Sequence, residues 1–292
     1  VSPDAAQVAV VTGASRGAGK GIALALGAAG MTVYVTGRSH SESLGRLKEA
    51  MLPGTVPETA RQISALGGRG VAVACDHRDD AAVRALFAQV AREAGRLDIL
   101  VNNAASIHDA LIDPGGFWEK PLELVDILNV GLRSAYVASY YAAPIMVRAR
   151  RGLIVFTSSF GASCYMHGAA YGAQKAGLDK FAADMAVDLA PFGVAALSLW
   201  LGPQLTERTE AAMRSRPGQY EQFMAQGETP QFNGRIIRAL ADDPQLLSLS
   251  GQTLISAEAA RRYGITEEGG RVPPSYRDML GAPRMPHPAK VM

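Results

Sequence analysis

Tyr171 and Lys175 stand four residues apart in Tyr171-Gly172-Ala173-Gln174-Lys175, ahead of Leu178, Phe181, Ala182, Met185 and Leu189 at helical spacing. Positions i and i+4 of a helix lie one above the other, so the phenol and the ammonium can point into one site. A free tyrosine, with a pKa near 10, is only about 0.1 % ionised at neutral pH, and a cation beside it favours the phenolate. A phenol brought toward the working pH is a competent proton donor and acceptor. Taken alone, such a pair is more often a solvated surface contact, and its meaning depends on its company.

The second chemistry-bearing stretch is a glycine turn, Gly13, Gly17 and Gly19, between the apolar run Val8-Ala9-Val10-Val11 and a helical pattern carrying Ile22, Leu24 and Leu26. Missing side chains there let backbone approach a pyrophosphate, and the helix N-terminus faces the negative charge. The strand before and the helix after give the glycines a context that a bare triplet lacks.

Strands that must carry these residues are expected at 8–11, 31–36, 71–75, 97–101, 153–157, 194–199 and 253–255, with helices between them. One of those helices is expected over 57–66, one on the face of Val83, Leu86, Phe87 and Val90, and a long one from about 121 to 148. Such alternation implies an α/β fold, a Rossmann-type doubly wound parallel sheet of about seven strands with helices on both faces. Two segments break the rhythm. Residues 39–56 are polar and carry Pro53-Gly54, a surface excursion. About 201–250 has the length and place of a lid over a substrate cleft. One catalytic domain is expected over 1–256, and 257–292 is a C-terminal extension that turns polar and proline-rich beyond Gly264.

The 292 residues are 48 % hydrophobic with a formal net charge of +2, enough for one large core and without the basic footprint of a nucleic-acid or anionic-membrane binder. No run of eighteen apolar residues predicts a membrane span. Cys75 and Cys164 lie far apart in no Cys-x-x-Cys pattern, which fits a reducing, cytoplasmic setting. The five histidines show no ligand spacing, so no metal is expected.

Thr12-Gly-x-x-x-Gly-x-Gly19, Asn102-Asn103-Ala104, Asn129, the pair Ser158-Ser159 and Tyr171-x-x-x-Lys175 occur in the order and spacing of the short-chain dehydrogenase/reductase superfamily, which the chain resembles over about residues 7–256. Leu199-Trp200, 247–251 and 260–264 are similar to the branch of it that includes animal dehydrogenase/reductase member one. The resemblance implies hydride transfer between a nicotinamide and a carbonyl or alcohol. Tyr171 would protonate the substrate oxygen, Ser159 would hold it, Lys175 would tune the phenol and bind the ribose, and Asn129 would hold a relay water. For Asn129 the plainer role is a hydrogen bond inside a helix. The usual thirteen-residue spacing to the tyrosine selects Ser158, whereas the second place of the pair selects Ser159. Loop length is the easier feature to alter, which favours Ser159.

An NAD-preferring site would place an acid after the second strand, where this chain has Gly37-Arg38, and Arg16 sits within the glycine turn. Two guanidinium groups suit a 2′-phosphate, so NADP(H) is expected, with NAD(H) the lesser alternative. The cofactor set is then Gly13, Ser15, Arg16, Gly17, Ala18, Gly19, Arg38, Asp76, Asn103, Tyr171, Lys175 and Thr206. Asp76 resembles the family's adenine contact, or is a helix cap. Asn103 and Thr206 resemble residues on the nicotinamide side. Leu201-Gly202 replaces the family's Pro-Gly and puts the Thr206 loop in question. The expected function is an NADP(H)-dependent carbonyl reductase or alcohol dehydrogenase. A 3-oxoacyl-thioester reductase, a non-catalytic NADPH-binding protein and a methyltransferase are the competing readings. The expected partner is a small carbonyl or alcohol, its apolar pocket walled by Phe117, Trp118, Tyr165, Met166 and 223–237. Small residues Gly172, Ala173, Ala176 and Gly177 suggest a homodimer or homotetramer through that helix.

Overall fold

The computed structural model describes residues 6–42, 44–47, 50–215, 218 and 221–291. Buried apolar runs form seven parallel strands: β1 (Val8–Val11), β2 (Thr32–Gly37), β5 (Arg69–Ala74), β6 (Ile99–Asn102), β7 (Gly152–Ser158), β8 (Val194–Trp200) and β9 (Thr253–Ile255). Their spatial order is β5-β2-β1-β6-β7-β8-β9. A separate antiparallel pair, β3 (Gly45–Leu47) and β4 (Ala50–Leu52), lies in the excursion after β2. The helices are α1 (Gly17–Ala28), α2 (Val56–Ala65), α3 (Asp80–Ala94), α4 (Ser134–Ala149), α5 (Ala169–Leu189), α6 (Glu207–Ser215), α7 (Glu221–Met224), α8 (Pro230–Asp242), α9 (Leu246–Leu249), α10 (Ser256–Tyr263) and α11 (Arg277–Leu280).

Side chains alternate across the strands and so feed two cores. Ala9, Val11, Val33, Val35, Leu153 and Val155 pack with Ile22, Leu26, Ile63, Phe232 and Ile236 from α1, α2 and α8. Val8, Val10, Tyr34, Leu100, Ile154 and Phe156 pack with Leu86, Phe87, Ala138, Leu178 and Ala182 from α3, α4 and α5. The chain runs outward from β1 to β5 and then returns to β6 on β1's other side. That reversal opens a crevice at the carboxyl ends of β1 and β6, the place where such sheets bind ligands.

Three expectations are corrected. The long helix over 121–148 is broken: a 3₁₀ turn spans Leu122–Val125, a π-type turn spans Leu128–Arg133, and α4 starts at Ser134. Gly131, at φ 148°, makes the break, and it is pinned by its N–H to Ser134 Oγ and its carbonyl to Gln174 Nε2. Within 201–250, α8 is a core helix with Phe232, Ile236, Ile237 and Leu240 fully buried, so that stretch is no lid. Ala257, Ala259 and Ala260 of α10 are buried too, which moves the start of the extension from 257 to beyond Gly264.

Candidate active site

Ser159 follows β7 directly, and Tyr171 lies in the first turn of α5, which packs along β7 and β8. Their hydroxyls meet, Ser159 Oγ to Tyr171 OH, at 2.9 Å. Ser158 Oγ instead donates to the carbonyl of Lys175 at 3.1 Å. Neighbouring residues at a strand end point opposite ways, which is why only one serine reaches the phenol. The Lys175 ammonium lies 5.4 Å from the Tyr171 ring centroid and donates to Thr157 O at 3.0 Å. Burial pushes the Lys175 ammonium down to about 8, opposed by the charge of Asp179.

The phenol does not follow the sequence expectation. Burial is the largest effect and raises the Tyr171 pKa; the hydrogen bond with Ser159 opposes it, and Cys164 adds to it. Desolvation of the phenolate dominates, and the Lys175 ammonium directs its proton at the Thr157 carbonyl instead of the phenol. Asn129 stands apart from the phenol and the ammonium. Its side chain is exposed and donates to Asp126 Oδ1 at 3.3 Å, and its carbonyl accepts the Ser134 N–H across the π-type turn. No contact joins it to Tyr171 or Lys175 among the described residues.

The glycine turn is held from below. Thr12 Oγ1 accepts the N–H groups of Asn103 and Ala104 at 2.9 and 3.0 Å, and Asn103 Nδ2 donates to the carbonyls of Thr12 and Gly13. Asn103 therefore staples the turn rather than presenting its amide to the crevice. A side chain at Gly13 would strike Ala104 Cα at 2.7 Å, and one at Gly19 would strike Asn103 and Gly13. Gly17, at φ 58°, is different: its missing Cβ would meet nothing nearer than the Thr206 methyl at 3.8 Å. Bare backbone thus faces the crevice at the start of α1, where Arg16 gives no side-chain cap and the first turn has no acid. These features fit a pyrophosphate. Ser15 is buried beside Gly37 and Gly54, and Ala18 packs on the core.

A carboxylate from α6 reaches the same place, since Glu207 Oε2 accepts the Gly17 N–H at 3.0 Å. Next to it, Arg208 donates to Arg46 O at 2.7 Å and pairs with Asp109 at 3.5 Å, tying α6 to the excursion. Thr206 hydrogen-bonds Thr209 and is set by a loop without the family's proline. Buried Glu228 takes over that duty, accepting from Gly202 N–H at 3.0 Å while its own carbonyl accepts Leu205 N–H at 2.9 Å.

Arg16 and Arg38 separate in role. Arg16 donates to Pro53 O, Ser39 Oγ and Gly54 O at 2.8–3.0 Å, so its guanidinium holds the excursion instead of standing open to a phosphate. Arg38 is exposed at the end of β2, without a hydrogen bond or ion pair among the described residues. Asp76 is no cap of α3, a duty of Asp79; its Oδ1 accepts the Arg78 N–H in a local turn.

A cleft of about 240 Å³ lies beside the Ser159–Tyr171 pair, lined by Leu111, Ile112, Pro114, Lys120, Tyr165 and His167. His167, at φ 59°, sets its ring edge-on to Tyr171 at 4.9 Å. Of the expected pocket walls, Tyr165 lines this cleft, whereas Phe117 and Trp118 meet edge to face in solvent. Met166 packs with Phe160 and Trp200, and Phe232 and Ile236 belong to the core. The Phe223 side chain lies outside those described. His167, Asp179, Glu207 and Glu228 escaped the sequence reading; only Asp179, one further turn along the Tyr-Lys face, left a periodic signal. Among the described residues no cluster of three or more His, Cys, Asp or Glu could hold a metal, and no helix is long and apolar enough to cross a membrane.

Comparison with known proteins matches the short chain dehydrogenase family model over residues 7–217. The chain is 43 % identical over 286 residues to human dehydrogenase/reductase SDR family member 1, covering 94 % of this chain and 87 % of that one. It is 30 % identical to the 3-oxoacyl-[acyl-carrier-protein] reductase of Synechocystis, over 85 % of this chain and 94 % of the relative. A short chain dehydrogenase structure from Mycobacterium thermoresistibile superposes with a TM-score of 0.74 at 25 % identity, over 95 % and 97 % of the two chains. With sheet order, glycine turn and Ser-Tyr-Lys cluster all in place, the chain belongs to the short-chain dehydrogenase/reductase family of oxidoreductases, in the branch of SDR family member 1.

Proposed function

We propose that the protein is an NADP(H)-dependent carbonyl reductase, with Tyr171 as general acid. The observation that carries this is the 2.9 Å contact of Ser159 Oγ with Tyr171 OH, beside the Lys175 ammonium and at the crevice edge of the sheet. A bound nicotinamide would supply the hydride, its pyrophosphate seated at Gly17–Gly19 and its 2′-phosphate near Arg38. Ser159 and Tyr171 then hold the substrate oxygen between their hydroxyls. Negative charge gathering on that oxygen draws the phenol proton, and Lys175, charged at neutral pH, stabilises the phenolate left behind. A phenol whose pKa is raised by burial keeps its proton at neutral pH, which suits reduction better than oxidation.

A 3-oxoacyl-thioester reductase is the second reading, favoured by the Synechocystis relative. Assembly as a homodimer or homotetramer and a cytoplasmic setting complete the proposal. Ala173 and Ala176 are exposed on α5, and Cys75 and Cys164 are unpaired. Gly172 and Gly177 are used within the subunit, against Gly161 and Leu132.

NADPH oxidation against a panel of ketones and 3-oxoacyl thioesters, run with Tyr171→Phe beside the parent, tests the assignment. Turnover should fall by about 10²–10⁴-fold while NADPH still binds. Undiminished turnover in the variant would remove Tyr171 from the chemistry.

A further inference from the structure

Asp179 follows Lys175 by four positions and Tyr171 by eight, so the three project along one side of α5. Its carboxylate is clamped from β8: Oδ1 accepts Ser198 Oγ at 2.6 Å and Oδ2 accepts Trp200 Nε1 at 2.8 Å. Ser198 and Trp200 are two apart on the strand and share the face toward α5. Ser158 of β7 adds a third hydrogen bond, and all three donors are neutral, so they fix the carboxylate without cancelling its charge. No cation lies within ion-pairing distance of it among the described residues.

Facing Lys175 are Tyr171 and Asp179 from its own helix, Thr157 and Ser158 from β7, and His167 from the loop before α5. Ser198 and Trp200, from β8, reach Asp179 and not Lys175. Asp179 is the carboxylate that acts on Lys175; burial raises the Asp179 pKa, and the hydrogen bonds of Ser198, Trp200 and Ser158 together with the charge of Lys175 oppose that rise and favour the ionised form. Lys120 reaches the group only through His167.

We infer that Asp179 is a positioning residue for the proton chemistry at Tyr171, its clamped carboxylate serving as the counter-ion that holds Lys175 charged one helical turn from the phenol. The inference rests on the roles proposed above for Tyr171 and Lys175. A buried ammonium loses the solvation that water gives it, and a fixed opposite charge nearby restores part of that loss. The one hydrogen bond of the ammonium goes to the neutral Thr157 carbonyl, so Asp179 acts on Lys175 through its charge and not through a direct contact.

The test is an NMR titration of ¹³C,¹⁵N-lysine-labelled full-length protein without nucleotide, the Lys175 signal being assigned by its loss in Lys175→Met. In Asp179→Asn, the Lys175 midpoint should fall by about one pH unit, a tenfold loss of proton affinity. The alkaline limb of NADPH-dependent ketone reduction should move down with it. Should Asp179→Asn not fold, Ser198→Ala keeps the carboxylate but frees one oxygen, and should shift the midpoint the same way by less. A folded variant with a lowered melting temperature and an unmoved Lys175 midpoint would make Asp179 a structural pin and overturn the inference. A shifted midpoint in a protein that oxidises no NADPH would uphold the counter-ion and sink the redox reading instead.

Discussion

His77 illustrates how one buried side chain near the crevice couples fold to solution conditions. Its Nε2 sits 2.8 Å from Thr36 Oγ1, its Nδ1 has no partner among the described residues, and the residue is 4 % exposed. Burial lowers its pKa from 6.5 to about 4, with Asp76 opposing. The folded state therefore binds the proton less tightly than the unfolded chain, and stability present above pH 6.5 is lost as pH falls toward 4. Linkage gives about 1.4 kcal/mol between pH 7.5 and 5.5 from this group. Urea unfolding at those two pH values should show that difference in the parent and lose it in His77→Gln; equal slopes would mean that the imidazole is hydrated. Arg38 bears on cofactor choice in the same region. As the unengaged guanidinium at the end of β2, it is the group placed for a 2′-phosphate. Arg38→Asp should lower the NADPH to NADH ratio in kcat/KM by about 10–100-fold, the worth of a charge-assisted hydrogen bond. An unchanged ratio would return the 2′-phosphate to another residue.

Among the elements, α6 and α1 meet in a contact with a functional consequence. The Glu207 carboxylate takes the Gly17 N–H at the positive end of α1, the position that suits a pyrophosphate. A dinucleotide seated there must displace it. Glu207→Gln removes the competing charge, and NADPH should bind about two- to fivefold more tightly, matching the 0.3–1 kcal/mol of a charge at a helix terminus. Fluorescence titration reads this directly; equal affinity would show that α6 leaves its place at no cost. Contacts of this sort are hard to read in a sequence, because Glu207 and Gly17 are 190 positions apart. The strands were legible, since their apolar runs are bounded by glycine and polar residues, and so were Ser159, Tyr171 and Lys175, whose spacing is local. Arg16 looked like a phosphate ligand because its bonds to Ser39, Pro53 and Gly54 cross to a hairpin that no periodicity announced. The break before α4 had a local sign in Gly131, outweighed by the apolar pattern around it.

At the scale of the whole molecule, the segment around α11 returns to the carboxyl end of β7 and β8. Ser159 leads into Phe160, which packs on Trp200 and Ile255, and that small cluster is covered by Tyr276 and Leu280. Tyr276 meets Phe160 edge-on at 6.3 Å, and α11 is moored by Arg277 and Ser275 to Glu258 of α10 at 2.5–2.8 Å. Gly161, two residues past Ser159, lies so close to Tyr171 that a Cβ would stand 2.6 Å from the ring. The C-terminal segment thus braces the loop that sets the distance between the two hydroxyls, while the glycine turn is built from the opposite side of the crevice. That division gives an asymmetric expectation. Tyr276→Ala should cost about 1–2 kcal/mol of stability, as removal of a partly buried aromatic does. It should also lower kcat/KM for the ketone while leaving NADPH affinity within twofold, since a sub-ångström shift of Ser159 affects the reacting oxygen and not the pyrophosphate. Thermal unfolding and steady-state kinetics measure the two halves separately. Loss of NADPH affinity in step with catalysis would mean that the tail supports the whole crevice rather than the Ser159 loop alone.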